Sequence, residues 1–314
     1  MDSLGRIVPA IRCVSVVDTF PDAESVEFVD ARGEIIRSSS TIGALRISTL
    51  LADEALARSP IDPPELMASV FIEPDRPIRD ARRSRFASFV LRVPDGRLAA
   101  PPSEGVQRTT AIDDRTVRVV VDLDAQPTGL GDDADRAALL EATPTLQIAD
   151  DAIVALAARA AGDATDPREV AERLRRAVHR HISGKALSVG FATAAETVRT
   201  REGDCTEHGV LLAAVLRARG IPSRVASGLI YADAFAGSEN IFGYHMWTQA
   251  LLPAADNGGE VWVDLDATLP PATPYDATHI TLAVSDLSGD GPANSMVALA
   301  PLMGRLQIDV EKAE

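Results

Sequence analysis

The first part of the chain alternates or clusters β-forming residues in short runs. Ile11 to Val17, Ser25 to Val29, Phe86 to Val93 and Thr116 to Leu123 read as strands, with turn formers between them, as in Pro94-Asp95-Gly96 and Ile112-Asp113-Asp114. Thr41 to Arg58 breaks the pattern and reads as helical, while the proline-rich stretches Ser59 to Pro64 and Ala100 to Ser103 read as loops. Past Gln126 the periodicity lengthens. Ala134 to Glu141 and Asp150 to Ala161 predict helices, and Asp166-Pro167-Arg168-Glu169 predicts an N-cap, then Pro at the first helical position, then a helix towards Ile182. This divides the chain into a β-rich accessory domain, sandwich-like, over 1–127, and an α+β domain over 128–314. The acidic, turn-rich stretch Gln126 to Asp133 lacks the ligand spacing of a calcium loop and reads as a solvated linker.

Asp204 to Gly220 carries a full set of helix signals. Asp204 is an N-cap, with Glu207 three residues on. Val210, Leu211, Leu212, Val215 and Leu216 form a wide apolar face, Arg217 and Arg219 suit the negative end of the dipole, and Gly220 and Pro222 end the helix. Ser223 to Tyr231, Tyr244 to Leu252 and Val261 to Thr268 then predict three strands. Period-2 geometry puts His245, Trp247 and Gln249 on one face of the second, and Trp262, Asp264 and Asp266 on one face of the third. If these strands pair antiparallel, His245 faces a carboxylate; spacing alone does not choose between Asp264 and Asp266.

Composition narrows the class. The chain has 314 residues, 46% of them apolar, and a formal charge of -15, which repels nucleic-acid phosphates and anionic lipid; no nucleic-acid partner is expected. No apolar run approaches the ~18 residues of a membrane span. The first residues lack the basic head and apolar block of a signal peptide, so a cytoplasmic location is the default, and a periplasmic or secreted one applies if the chain is trimmed. Oligomeric state is open.

Two cysteines cannot build a disulfide framework. Cys13 lies in an apolar strand. Cys205 falls at the first helical position, where free N–H groups and the helix dipole favour a thiolate. Helix with Cys, strand with His, strand end with Asp is the order of nucleophile, base and orienting carboxylate. His208, one turn from Cys205, is a rival base and, with Cys205, half of a zinc pattern; no second Cys is nearby, so neither metal nor cofactor is expected. His179 and His181 read as solvated, and His279 as a lesser candidate for lining the cleft. Tyr244, Trp247, Trp262, Asp204, Glu207, His208 and Asp264 are candidate supporting residues.

The runs RTREGDCTEHGVLLAAVLRARGIPSRVASGLIY, YHMW and WVDLDAT, in that order, resemble the transglutaminase-like superfamily of papain-like thiol enzymes, over about residues 135 to 310. The resemblance is closest to bacterial members whose catalytic domain follows a β-rich region. It implies a Cys-bearing helix packed on an antiparallel sheet, with Cys205, His245 and Asp266 as catalytic residues, and it prefers Asp266 over Asp264; Ala267 departs from the family's Pro. It implies that His245 takes the Cys205 proton, that Asp266 orients the imidazole, and that the thiolate attacks an amide or related acyl carbon of a protein or peptide substrate. The Cys205 N–H would help hold the oxyanion. A cysteine protease or amidase is the leading expectation. Transamidation to an amine is the alternative, and a non-catalytic protein-binding module on the same scaffold is the alternative of another class.

Overall fold

The computed structural model describes residues 8–17, 20–42, 45–58, 70–131, 135–184, 192–255, 258–288 and 299–314. It divides into two compact units, Met1–Val70 with Ala300–Leu306, and Phe71–Leu299 with Gln307–Glu314. An N-terminal β-rich region is followed by a mixed α and β region.

In the first unit β1 (Ile11–Val17), β2 (Phe20–Val29), β3 (Ile35–Ile42) and β4 (Leu45–Leu50) form an antiparallel meander. The helix expected over Thr41 to Arg58 is corrected. Most of that segment is β3 end and β4, registered from Arg37↔Leu50 to Ile42↔Leu45, and only Glu54–Ala57 (α1), capped by Asp53, is helical. The alternation of Leu45, Ile47 and Thr49 suits a pleated strand, and pairing with β3 outweighs local propensity. The expected Ser59 to Pro64 loop and Asp132–Asp133 lie outside the described residues.

In the second unit β5 (Phe86–Arg92), β6 (Gln107–Asp113), β7 (Thr116–Asp122) and the C-terminal β12 (Gln307–Ala313) form a sheet ordered β12-β5-β7-β6. Ala87, Phe89 and Leu91 of β5, and Val117, Val119 and Val121 of β7, bury one face of the sheet, and Ser88 and Val90 of β5 are buried on the other. The helix expected over Ala134 to Glu141 is reduced to a 3-10 turn at Ala138–Leu140; it has no side-chain cap and buries only Leu139.

α3 (Pro167–His181) begins at the expected cap, Asp166 accepting from the Glu169 N–H, and α2 (Asp151–Ala161) is capped by Asp150, which accepts from the Ala152 N–H. α4 (Ala194–Thr200) has its own capping signal, Thr193 with Glu196 three residues on, which the sequence reading passed over. α5 (Cys205–Arg217) is buried from Thr206 onward. It packs against α2, α3 and α4 on one side and against β8 (Ser223–Phe235) and β9 (Ser238–Pro253) on the other. With β10 (Glu260–Leu265) and β11 (His279–Ser285) these strands form an antiparallel sheet ordered β10-β9-β8-β11. Val225, Met246, Leu252 and Leu265 join the apolar core under α5. The β5 sheet packs against these strands: Phe89 meets Phe242 edge-on at 5.6 Å, and the Gln107 amide brackets the Thr281 backbone, accepting from its N–H at 2.8 Å and donating to its carbonyl at 2.9 Å. Among the described residues no helix is long and apolar enough to cross a membrane.

Candidate functional site

The site is built around Asp266, one residue past the end of β10 and buried. α3 clamps this segment. Arg175, itself buried, donates to the carbonyls of Asp266 (3.2 Å) and Leu269 (3.1 Å), and His179 Nδ1 lies 3.0 Å from the Ala267 carbonyl. The Asp266-Ala267-Thr268 turn then fixes the carboxylate: Oδ1 accepts from Thr268 N–H at 2.8 Å and from Thr268 Oγ1 at 2.7 Å. That leaves Oδ2 for two imidazoles, His245 Nε2 at 2.9 Å and His279 Nε2 at 3.3 Å.

β9 delivers His245, opposite Gly228 of β8. His279 opens β11, opposite Ile230 of β8. The close passage of β11 requires Gly228, because a Cβ there would stand 1.9 Å from the Ile280 carbonyl oxygen. A second Asp-Ala-Thr turn holds His279. In Asp276-Ala277-Thr278 the Thr278 N–H and Oγ1 fix Asp276 Oδ1 at 2.9 and 2.5 Å, and Arg82 takes Oδ2 at 2.8 Å. The Asp276 carbonyl receives His279 Nδ1 at 3.0 Å. Trp247 stacks on His245 (centroids 5.9 Å apart) and Tyr275 on His279 (4.2 Å).

Charge and burial oppose each other here. Burial pushes His245 down, but the Asp266 carboxylate outweighs it and brings the imidazole to about 10. Burial would raise Asp266; His245 and His279 hold it well below the usual carboxylate range. Burial lowers His279, and its bonds to Asp266 and Asp276 raise it overall.

The expected Cys205–His245–Asp266 centre is corrected. The three groups that converge, with ligand atoms within 4.8 Å of one another, are His245, Asp266 and His279, and Cys205 is not among them. Cys205 is half-buried at the start of α5, and its thiol acts on His245 more weakly than Asp266 does. The cysteine-dependent hydrolase and acyltransferase readings, with their Cys-His-Asp triad, give way to a His–Asp–His centre. Neither alternative set beside them is carried forward. The sequence had ranked His279 low because nothing local shows β11 folding back onto β8. The repeated Asp-Ala-Thr, ten residues apart, was the available signal.

The other named residues take supporting places. Asp204 caps α5, accepting from the Thr206 N–H, and Glu207 completes the capping box through Asp204 N–H while also accepting from Ala192 N–H. Burial raises Glu207. Burial lowers His208, whose Nδ1 lies 2.6 Å from the Asp204 carbonyl. Asp264 is pushed up by burial and accepts from Trp247 Nε1 and Gln249 Nε2, both at 2.8 Å, so it braces the wall beside His245. Trp262 is buried beneath the Arg224 guanidinium, 3.8 Å from its ring. Among the described residues the buried Tyr244 hydroxyl has no hydrogen-bond partner. The solvated reading of His179 and His181 is also corrected, since each is half-buried beside a backbone carbonyl.

Residues 154–267 match the family model described as Transglutaminase-like superfamily. Among solved structures the chain is similar to a putative cysteine protease from Cytophaga hutchinsonii (13% identity, TM-score 0.42, 73% of this chain and 85% of that one). It is also similar to the periplasmic domain of TgpA from Pseudomonas aeruginosa (18%, 0.40, 63% and 92%) and to red sea bream transglutaminase (12%, 0.33, 61% and 47%). No curated protein matches. The family-model match supports distant homology to the transglutaminase-like superfamily over residues 154–267.

Proposed function

We propose that the His245–Asp266–His279 centre is the working site of the protein and performs general acid–base chemistry on a ligand, with His245 as the proton-transferring group. One observation carries this: a single buried carboxylate oxygen, Asp266 Oδ2, takes both imidazole Nε2 atoms while Thr268 holds the other oxygen. A carboxylate fixed in this way orients an imidazole and stabilises its charged form without becoming protonated. Of the two rings, His245 is the less enclosed. Asp266 also lines a cavity of about 260 Å³ with Asp264, Arg175 and Tyr275, in which a ligand group can sit. A polypeptide ligand is proposed on the superfamily match alone.

The test is a screen of ester and amide substrates with the wild-type chain, repeated with Cys205→Ser, His245→Gln and Asp266→Asn. Turnover that survives Cys205→Ser and falls by about 10²- to 10⁴-fold in the other two supports the reading. Turnover abolished by Cys205→Ser overturns it and restores a thiol nucleophile.

A further inference from the structure

The three converging groups satisfy more than a hydrogen-bonded acid–base pair requires. Their spacing is the first point. Two ligands about 2.1 Å from one ion, at angles of about 90–110°, stand about 3.0–3.4 Å apart. The two nitrogens lie 2.9 and 3.3 Å from Asp266 Oδ2. The second point is the direction of the His279 ring. Its Nδ1 faces the Asp276 carbonyl, which only accepts, so Nδ1 carries the proton of the neutral ring. Its Nε2 lone pair then faces Asp266 Oδ2, another acceptor, and a cation must lie between them: a proton or a metal ion. The third point is support. A metal-binding His usually donates its other N–H to a carbonyl or carboxylate, and a ligating carboxylate is itself hydrogen-bonded. His279 has Asp276, and Asp266 has Thr268. The fourth is a neighbouring space: Asp266, though neither histidine, lines the 260 Å³ cavity.

We infer that His245 Nε2, Asp266 Oδ2 and His279 Nε2 form a binding site for one divalent first-row transition ion of the Zn²⁺ class. Two imidazoles and one carboxylate select such an ion over Mg²⁺ or Ca²⁺, and a three-ligand set leaves a position open for water or a ligand. Binding releases the protons held on the two Nε2 atoms to solvent, and the ion takes over their role as the cation between rings and carboxylate. The inference rests on the reading of this centre as the working site.

The experiment uses chelator-treated full chain, titrated with Zn²⁺ by calorimetry and with Co²⁺ by visible absorption. The expected result is one ion per chain, a Co²⁺ d–d spectrum of low coordination number, and a rise in melting temperature with Zn²⁺. His279→Gln should weaken binding by more than about 100-fold, and Thr268→Val, which removes no ligand, by about 10- to 100-fold. Circular dichroism establishes that both variants are folded. Cys205→Ser should leave the spectrum and stoichiometry unchanged. Absence of a bound ion in the wild type, equal affinity in folded His279→Gln, or a cobalt–thiolate band lost in Cys205→Ser each overturns the inference. Because the acid–base reading is tested by turnover of the chelated protein and the metal site by ion binding, failure of one is distinguishable from failure of the other.

Discussion

Replacing Asp266 by Asn removes one charge from a buried centre and keeps nearly the same shape. In the metal-free wild type, His245 moves from 6.5 to about 10 against an opposing burial effect. At 1.36 kcal/mol per pH unit this is a preference for the charged imidazole of about 5 kcal/mol. The lowered Asp266 is the same interaction seen from the other partner and adds nothing further. The sign follows from linkage: the folded pKa of His245 lies above its unfolded value, so the contribution is full below about 6.5 and is lost as pH rises through about 10. In Asp266→Asn burial is opposed only by the weaker interaction with Cys205, so the preference for the charged imidazole falls. The variant should lose about 3–5 kcal/mol at pH 6–7, the usual cost of removing one partner of a buried ion pair. By pH 10 the gap to wild type should shrink to about 1 kcal/mol or less. Urea denaturation at pH 6, 8 and 10, with ¹⁵N-histidine spectra to follow the ring, measures both. A wild-type-minus-variant difference that is flat across that range, or a loss below about 1 kcal/mol at pH 7, would refute the charged pair.

Gly228→Ala should destabilise the second unit by about 3 kcal/mol or more in chemical denaturation, because its Cβ meets backbone that cannot step aside, and His279 should lose its signature of contact with Asp266 in ring spectra. Arg175→Met, which removes the donor to the Asp266 and Leu269 carbonyls, should cost about 1–3 kcal/mol and broaden the ring signals of His245. Asp204→Ala should cost about 1 kcal/mol by uncapping α5, read as a lower urea midpoint, with the His245 titration little changed.

Much of the mixed region was legible because its signals are local. Asp150, Asp166-Pro167 and Asp204 with Glu207 each satisfy helix-start N–H groups within three residues, so the caps can be read without knowing any partner. β8, β9 and β10 were legible for the same reason, and their antiparallel order put Asp264 opposite Gln249, bringing the acids of β10 beside the histidine strand. The failures share one cause. In Thr41 to Arg58 a short apolar pattern fits helix or strand equally, and only pairing with β3 settles it.

The sequence by itself determined the caps of α3 and α5, the strand faces and the placing of His245 on one strand and Asp266 at the end of the next, since these depend on contacts within a few residues or one turn of chain. Tertiary structure alone decided which groups share the carboxylate. His279 reaches Asp266 because β11 pairs with β8 at the far edge of the sheet, through a gap that Gly228 keeps open and that Gln107 of β6 pins. Backbone pairing at long range leaves no side-chain mark at His279, and so the sequence favoured Cys205 where the fold placed a second imidazole.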